Sequence, residues 1–222
     1  QERGSWESLR DPDVAQMVME ELEKMHAENG GPDRLLFCSM REPRPEIEGK
    51  TPAQLAAEWQ VDLLEVGIRL EKMGGVSAIG LTMSEDNLQR ILAHPLVGIG
   101  SDSSQEADKG VQTHPRSYGT FPRVLAGYVR EEGVLTLPEA IYKMSGQHAE
   151  HFGITDRGLL GEGLVADVVV FDPWTVQDKA EFLNAHQYPE GIPYVIVNGK
   201  FAVKAGRTTP ENHGRALRKT DM

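Results

Sequence analysis

Apolar residues near the start of the chain recur at intervals of three and four positions, which is the spacing of one face of an amphipathic helix. Segment 11–28 shows this spacing on a background rich in Glu and Lys, and the turn residues NGGPD at 29–33 predict its end. The same pattern predicts helices over 51–59 and 61–73, and Thr51 is placed to cap the first of these. The apolar stripe of the first helix comprises Val14, Met17, Val18, Leu22 and Met25.

Three short runs are almost wholly apolar. They lie at about 35–39, 76–81 and 96–100, and turn or helix-ending residues bound them. Runs of this kind are typical of buried strands, and the helical segments between them predict an α/β layer of parallel βα units. Three parallel strands are too few to close a (β/α)8 barrel, which takes about 250 residues. Since a small three-stranded layer would leave strand edges open, the back part of a larger fold is the favoured of the two interpretations.

Two further helices are predicted after this layer, at about 119–131 and 137–152. Thr136 and Glu139 have the spacing of a capping box at the start of the second of them. Gly153 is a C-terminal stop signal. The end of this helix marks the last predicted helical segment of the chain.

The end of the chain alternates β-rich runs with Gly, Pro and Asn, and Asn198-Gly199 is a hairpin signal. This pattern predicts a small antiparallel sheet or sandwich. We therefore expect two parts. Residues 1–158 would contain the three βα units and the helices that follow them, and residues 159–222 would form the β-rich segment.

Composition narrows the range of partners. The formal net charge is −11 and the Lys and Arg residues are scattered, so no surface for nucleic acid is predicted. The longest apolar runs are far shorter than the roughly 20 residues of a membrane span, and no basic, apolar leader is seen, so no membrane role is predicted either. The single cysteine, Cys38, excludes an intramolecular disulfide or a zinc knuckle. It fits a reducing compartment, and a cytoplasmic protein is the prediction.

The third apolar run ends abruptly in a polar sequence, SDSS at 101–104. An acid at the end of a buried strand is either a helix cap or, in a barrel, a side chain that faces the active site. A carboxylate at such a position can take up and release a proton, so it could serve as a catalytic acid or base. The residues alone leave both interpretations of Asp102 open.

Longer stretches of the sequence resemble the C-terminal half of the D-aminoacylase, or N-acyl-D-amino-acid deacylase, branch of the amidohydrolase superfamily. The resemblance rests on GSDS at 100–103, HPRSYGTFPRVL from position 114, GLVADVVVFDP from position 163 and HQYPEGIPYVIVNGKFAV from position 186. It implies a TIM-like, metal-dependent (β/α)8 barrel flanked by a small β-sandwich. The three apolar runs would then be the last three of eight barrel strands, and residues 159–222 would be part of the sandwich.

Four residues are candidates for the site, and the resemblance implies roles for two of them, Asp102 and Met83. Asp102 matches the acid that takes a proton from metal-bound water and hands it to the leaving nitrogen, so that it acts as general base and then as general acid. Met83 matches a family position near the substrate side chain, although without the resemblance it would be interpreted as a core methionine. Ser101 is a further candidate at the substrate. His114 could form a hydrogen bond at the rim of the site, and a solvent-exposed loop histidine is the open alternative. The substrate implied is an N-acyl-D-amino acid or a related amide.

Zinc or another divalent metal is implied as the cofactor, held mainly by residues outside this chain. The family's His-x-His and its other metal ligands belong to earlier strands, and no His-x-His occurs in these 222 residues. We therefore expect a C-terminal fragment, or one chain of an enzyme split in two. Its partner would be the complementary N-terminal half of the barrel.

Alternatives stay open at this point. One is a non-catalytic scaffold, a barrel half that serves assembly, with Asp102 as a cap; another is an amidohydrolase that acts on a cyclic amide or on an acylated D-glutamate. His148 and His151, three residues apart on a predicted helix, are interpreted as a polar helix-end face rather than as metal ligands. Cys38 is interpreted as a packing residue of a buried strand, not as a metal ligand.

Overall fold

The computed structural model describes residues 8–9, 11–40, 42–103 and 113–218. These residues form two compact units. The first contains the described residues through Ser84 together with 113–114, and the second contains 85–103 and 115–218. The loop predicted beyond Ser103 continues into residues 104–112, which lie outside the described part.

The first unit alternates helices and strands in the order α1, β1, α2, α3, β2. Their bounds are Pro12–Asn29, Leu35–Met40, Pro52–Trp59, Leu63–Lys72 and Val76–Gly80. All five elements were predicted from the hydrophobic pattern, and the structure confirms that each exists.

Two polar side chains begin the middle helices of this unit. Thr51 accepts a hydrogen bond from the backbone of Gln54, and the Gln54 side chain accepts one from the backbone of Thr51, which completes a capping box. Asp62 caps α3 in the same way through the backbone N–H of Glu65. With their ends satisfied, the helices turn one apolar face to the strands, and the buried core comprises Phe37, Met40, Ile47, Leu55, Val66 and Leu70.

Strands β1 and β2 pair antiparallel, from Leu35 opposite Gly80 to Met40 opposite Val76. The prediction of parallel pairing was therefore wrong, and these two strands are not consecutive strands of a (β/α)8 barrel, whose strands are all parallel. The physical reason is that a short apolar run identifies a buried strand but carries no information on its direction. Most residues of β2 are also exposed, unlike strands of a parallel sheet covered on both faces.

Helices dominate the first part of the second unit. They are α4, α5, α6 and α7, at Glu85–Ala93, Arg116–Arg123, Leu137–Met144 and Gly146–Phe152. Helix α5 continues as a π-helix over Val124–Glu131. No helix of the described residues is long and apolar enough to cross a membrane. The buried core of this part comprises Leu92, Ile99, Val124, Tyr128, Leu135 and Ala140.

A four-stranded antiparallel sheet follows in the order β3-β4-β5-β6. Its strands are Val168–Val170, Tyr194–Val197, Lys200–Lys204 and Arg207–Thr208. The turn between β4 and β5 is the predicted Asn-Gly hairpin, and both of its residues have positive φ, 49° and 78°. The antiparallel sheet predicted for this segment is confirmed, while the boundary at 158/159 stays a prediction.

The predicted strand at 96–100 is absent from the described structure. Residues 98–103 carry no regular secondary structure, and this segment joins neither sheet in the described part of the chain. The apolar character of the run reflects burial of Ile99, which is 6% exposed in the core of the second unit. Burial and strand pairing give the same sequence signal, so the pattern alone could not separate them.

The capping box of α6 makes a pH-dependent contribution to stability. The Glu139 carboxylate accepts hydrogen bonds from the Thr136 hydroxyl and from the Thr136 backbone N–H, and these bonds lower the pKa of Glu139. A lowered folded-state pKa means that the contribution is complete above the unfolded value of about 4.3 and is lost as the pH falls through the folded value. Gln in this position caps without titrating.

We therefore expect the urea midpoint of the unchanged chain to fall relative to that of Glu139→Gln as the pH is lowered below about 4.3. The measurement is a set of urea unfolding curves for both chains between about pH 7 and about pH 3. All other carboxylates are common to the two chains, so the difference between the midpoints isolates Glu139. A constant difference across this range would show that the box does not titrate.

Candidate active site

Asp102 ends the segment that follows α4 in the second unit. Its backbone is in the left-handed region, with φ of 46°, which Asp and Asn adopt more readily than most residues. Its carboxylate Oδ2 lies 3.1 Å from Nη2 of Arg116, and the two side chains are 88% and 44% exposed. The acid therefore faces solvent beside a guanidinium, an arrangement open to a substrate.

Two helices hold the backbone that leads to Asp102. The N–H of Ile99 donates to the carbonyl of Lys143 in α6, at 3.0 Å. Nε2 of His148 in α7 lies 2.9 Å from the carbonyl oxygen of Ile99, to which it donates. Of the two histidines interpreted as a polar helix-end face, His148 is half-buried against this segment and His151 is exposed.

Arg116 is the first residue of α5, and two contacts fix that end of the helix. The hydroxyl of Tyr118 and Nδ1 of His186 are 3.0 Å apart. Gly119 packs so closely on the carboxylate of Asp178 that a Cβ at this position would overlap it. The guanidinium is therefore carried by an anchored helix rather than by a free loop.

The other predicted site residues are distributed between the two units. Ser101 is half-buried next to Asp102, and its Oγ lies 3.0 Å from Oγ of Ser103. Met83 is 69% exposed and His114 is half-buried, and both belong to the first unit. The structure thus places Ser101, Asp102 and Arg116 together, and the roles of Met83 and His114 at the substrate stay predictions.

An open cavity of about 650 Å³ lies elsewhere on the second unit, with Tyr128 at its wall. Burial raises the pKa of Tyr128, and the nearby Glu85 carboxylate adds to the rise. Acidic side chains outnumber basic ones in the lining, so the cavity repels a substrate that carries a carboxylate. Its charged lining residues are Glu85, Arg123, Glu131, Glu132, Asp178, Lys179 and Glu181.

Metal ligands do not converge in the described part of the chain. No group of three or more His, Cys, Asp or Glu residues there could hold an ion. Cys38 is buried at 4% exposure, as predicted for a packing residue, and burial raises the pKa of its thiol. A thiol held protonated is a poor metal ligand, so the donor set among the described residues does not fit a catalytic metal.

Arg116 is the functional candidate that the sequence reasoning missed. It lies within the quoted HPRSYG motif, but no pattern in the sequence indicates which acid it would approach. The one available signal was chemical: a cation at the start of a helix, shortly after a candidate catalytic acid, is a natural partner for an anionic substrate.

Comparisons with known proteins agree on one family. A model of the amidohydrolase family matches residues 8–203. The D-aminoacylase of Alcaligenes xylosoxydans xylosoxydans is 40% identical over 178 residues, which cover 80% of this chain and 36% of that protein. The chain spans about a third of the length of the curated relatives that it resembles, which include N-acyl-D-aspartate and N-acyl-D-glutamate deacylases.

Solved structures give the same result. A D-aminoacylase described with a binuclear metal centre superposes with a TM-score of 0.76 and 36% identity, covering 89% of this chain and 40% of that one. The N-acyl-D-glutamate deacylase of Bordetella bronchiseptica, solved with zinc and a phosphonate that mimics the tetrahedral intermediate, gives a TM-score of 0.69 and 35% identity. Coverage in that case is 82% of this chain and 38% of the other.

Proposed function

Because this chain belongs to the amidohydrolase family, we propose that it is part of an enzyme that hydrolyses the amide bond of N-acyl-D-amino acids. The observation that carries the proposal is the pair formed by Asp102 and Arg116. A carboxylate stands where the family resemblance expects the catalytic acid, and a guanidinium lies 3.1 Å from it. One group suits proton transfer, and the other suits recognition of a carboxylate.

Asp102 is proposed to act twice in each turnover. As a general base it takes a proton from the attacking water, and as a general acid it returns a proton to the leaving nitrogen. The second step is essential, because an amide anion is too basic to leave unprotonated. The exposed position of the carboxylate leaves it accessible to both water and substrate.

Arg116 is proposed to bind the α-carboxylate of the substrate. Guanidinium and carboxylate groups form paired, charge-assisted hydrogen bonds that fix orientation as well as affinity. Without substrate the guanidinium contacts Asp102 instead. Binding of the substrate carboxylate would draw Arg116 away and leave the Asp102 carboxylate free to accept a proton.

A divalent metal, with zinc as the first candidate, is proposed as the cofactor and is assigned to residues outside this sequence. The described residues contain no suitable cluster of ligands, and a related deacylase was solved with zinc. When bound, such a metal supplies Lewis acidity to amide hydrolysis. The chain's own contribution is proton transfer and substrate orientation.

The division of the chain follows the same proposal. Residues 159–222, with the sheet β3–β6, would supply part of a β-sandwich, and residues 1–158 would belong to the barrel side of the enzyme. The antiparallel strands β1 and β2 are excluded from the barrel sheet itself. The complementary part of the barrel is the proposed partner. A cytoplasmic location is proposed because the single cysteine, Cys38, has no disulfide partner in these 222 residues.

The requirement for residues outside this sequence has a direct test. We expect the purified 222-residue chain to retain no stoichiometric zinc after dialysis and not to hydrolyse N-acetyl-D-glutamate or N-acetyl-D-methionine. Joined to the remaining region of its longer relatives, here termed the completed enzyme, it should gain both properties. The measurements are metal content by mass spectrometry and release of the free amino acid.

The L enantiomers of the two substrates serve as controls, because the proposed enzyme is specific for D-amino acids. Metal-dependent hydrolysis by the 222-residue chain alone would contradict the assignment of the metal to outside residues. A completed enzyme that binds zinc but releases no amino acid from any N-acyl substrate would overturn the proposed function.

A further inference from the structure

The backbone carbonyl groups of the segment between α4 and Asp102 accept hydrogen bonds from side chains rather than from a neighbouring strand. The segment joins neither sheet of the described structure, yet part of it is buried with Ile99. Buried carbonyl groups need hydrogen-bond partners. The partners here are side chains of one short stretch, 143–148, which includes the end of α6 and the start of α7.

Three side chains donate to four carbonyls of this segment. Nζ of Lys143 lies 2.5 Å from the carbonyl oxygen of His94 and 2.8 Å from that of Val97. Nε2 of Gln147 donates to the carbonyl of Pro95 at 2.9 Å, and Nε2 of His148 donates to that of Ile99 at 2.9 Å. We call these three side chains, Lys143, Gln147 and His148, the carbonyl clamp.

Lys143 is the buried member of the clamp, with 5% of its surface exposed. A buried ammonium group is unfavourable unless its donors are used, and two of its three are used here. Its backbone carbonyl also accepts from the N–H of Ile99. Both ends of one residue therefore hold the segment, just beyond the C-terminus of α4, where a cation is electrostatically favoured.

His148 provides the last fixed point before the acid. Its ring lies directly on the backbone of Gly98, where a Cβ would be only 2.5 Å from Cε1, so the contact requires glycine. Beyond the carbonyl of Ile99, only Gly100 and Ser101 separate this anchor from Asp102. The hydrogen bond from His148 thus fixes the backbone three residues before Asp102.

We propose that the carbonyl clamp positions Asp102 for proton transfer, with His148 as its principal positioning residue; this inference rests on the proposed function. The clamp touches backbone, not substrate, so its effect passes through Asp102. Arg116 is carried by α5, which is anchored independently. Loss of the clamp should therefore lower kcat and leave substrate binding nearly unchanged.

Steady-state kinetics of the completed enzyme test the proposal through His148→Leu, which removes the hydrogen bond. We expect kcat to fall about 10- to 100-fold, the range associated with misplacement of a catalytic group, with KM for the N-acyl-D-amino acid within about twofold of its original value. His148→Gln can place an amide nitrogen near the same carbonyl and should restore most of kcat. His151→Leu, on the exposed side of the same helix, is the matched control and should change neither constant.

A second measurement does not depend on turnover. In the 222-residue chain, the carbon NMR signal of the Asp102 carboxyl group, assigned with Asp102→Asn, should report the nearby Arg116 and shift on Arg116→Gln. His148→Leu should displace this signal, while His148→Gln and His151→Leu should leave it in place. Circular dichroism checks that each variant is folded. Lys143→Met is a further variant of the clamp, but it removes a buried charged group, so its results count only if circular dichroism shows that it folds.

The two measurements separate the two proposals. If the completed enzyme proves inactive on every N-acyl-D-amino acid but the Asp102 signal still moves with His148→Leu, the proposed function fails and the contact between clamp and acid stands. If His148→Leu is folded and leaves both kcat and the Asp102 signal unchanged, the clamp does not position the acid. A rise in KM of His148→Leu with unchanged kcat would also overturn the inference.

Discussion

Replacing Asp102 with Asn is expected to reduce kcat of the completed enzyme by about 100- to 10,000-fold, the range found when a general acid–base group is removed. The amide has nearly the same shape as the carboxylate but cannot accept and return a proton. Asn also tolerates the left-handed backbone that Asp102 adopts, with φ of 46°. The substitution therefore removes the chemistry while leaving the loop undistorted.

Stability should change little in the same variant. The ion pair with Arg116 is exposed, and such surface pairs contribute about 0–1 kcal/mol. Urea unfolding of the 222-residue chain measures the change in stability. The matched control for kcat is Asp86→Asn, which replaces an exposed acid in the first turn of α4. Loss of stability with unchanged turnover would support the scaffold interpretation, in which Asp102 has no catalytic role.

Local features of this fold could be predicted from the sequence because neighbouring residues determine them. Thr51 and Thr136 cap their helices through groups three positions away, and the Asn198-Gly199 turn depends on two residues that accept positive φ. In each case the interaction partner is encoded within a few positions. The local sequence is therefore sufficient to predict these caps and this turn, and the structure confirms all three.

Features that depend on distant partners could not be predicted in the same way. The antiparallel direction of β1 and β2 depends on how α2 and α3 return the chain, which an apolar run does not record. The contact of His148 with Ile99 joins positions 49 residues apart. At the candidate site the sequence resemblance indicated Asp102. The contact of Asp102 with Arg116 and the carbonyl clamp could be identified only from the three-dimensional structure.

Replacing Arg116 with Gln is expected to raise KM for N-acyl-D-amino acids by about 10- to 100-fold, with a smaller change in kcat. Hydrogen bonds between charged partners are worth about 1.5–3 kcal/mol, and about 1.4 kcal/mol corresponds to a factor of ten. Arg116→Lys keeps the positive charge but cannot form two parallel hydrogen bonds to a carboxylate, so its KM should lie between that of the unchanged enzyme and that of Arg116→Gln. Steady-state kinetics of the completed enzyme provide the measurement.

Substrate chemistry provides the sharpest control for this prediction. An N-acyl-D-amino acid amide lacks the α-carboxylate, so Arg116→Gln should leave its kcat/KM nearly unchanged. Arg123→Gln, at the other end of α5, should leave kcat/KM unchanged for both substrates. Equal losses with the acid and the amide would show that Arg116 acts on the chemical step or on the fold, because an interaction with the carboxylate cannot be lost from a substrate that has none.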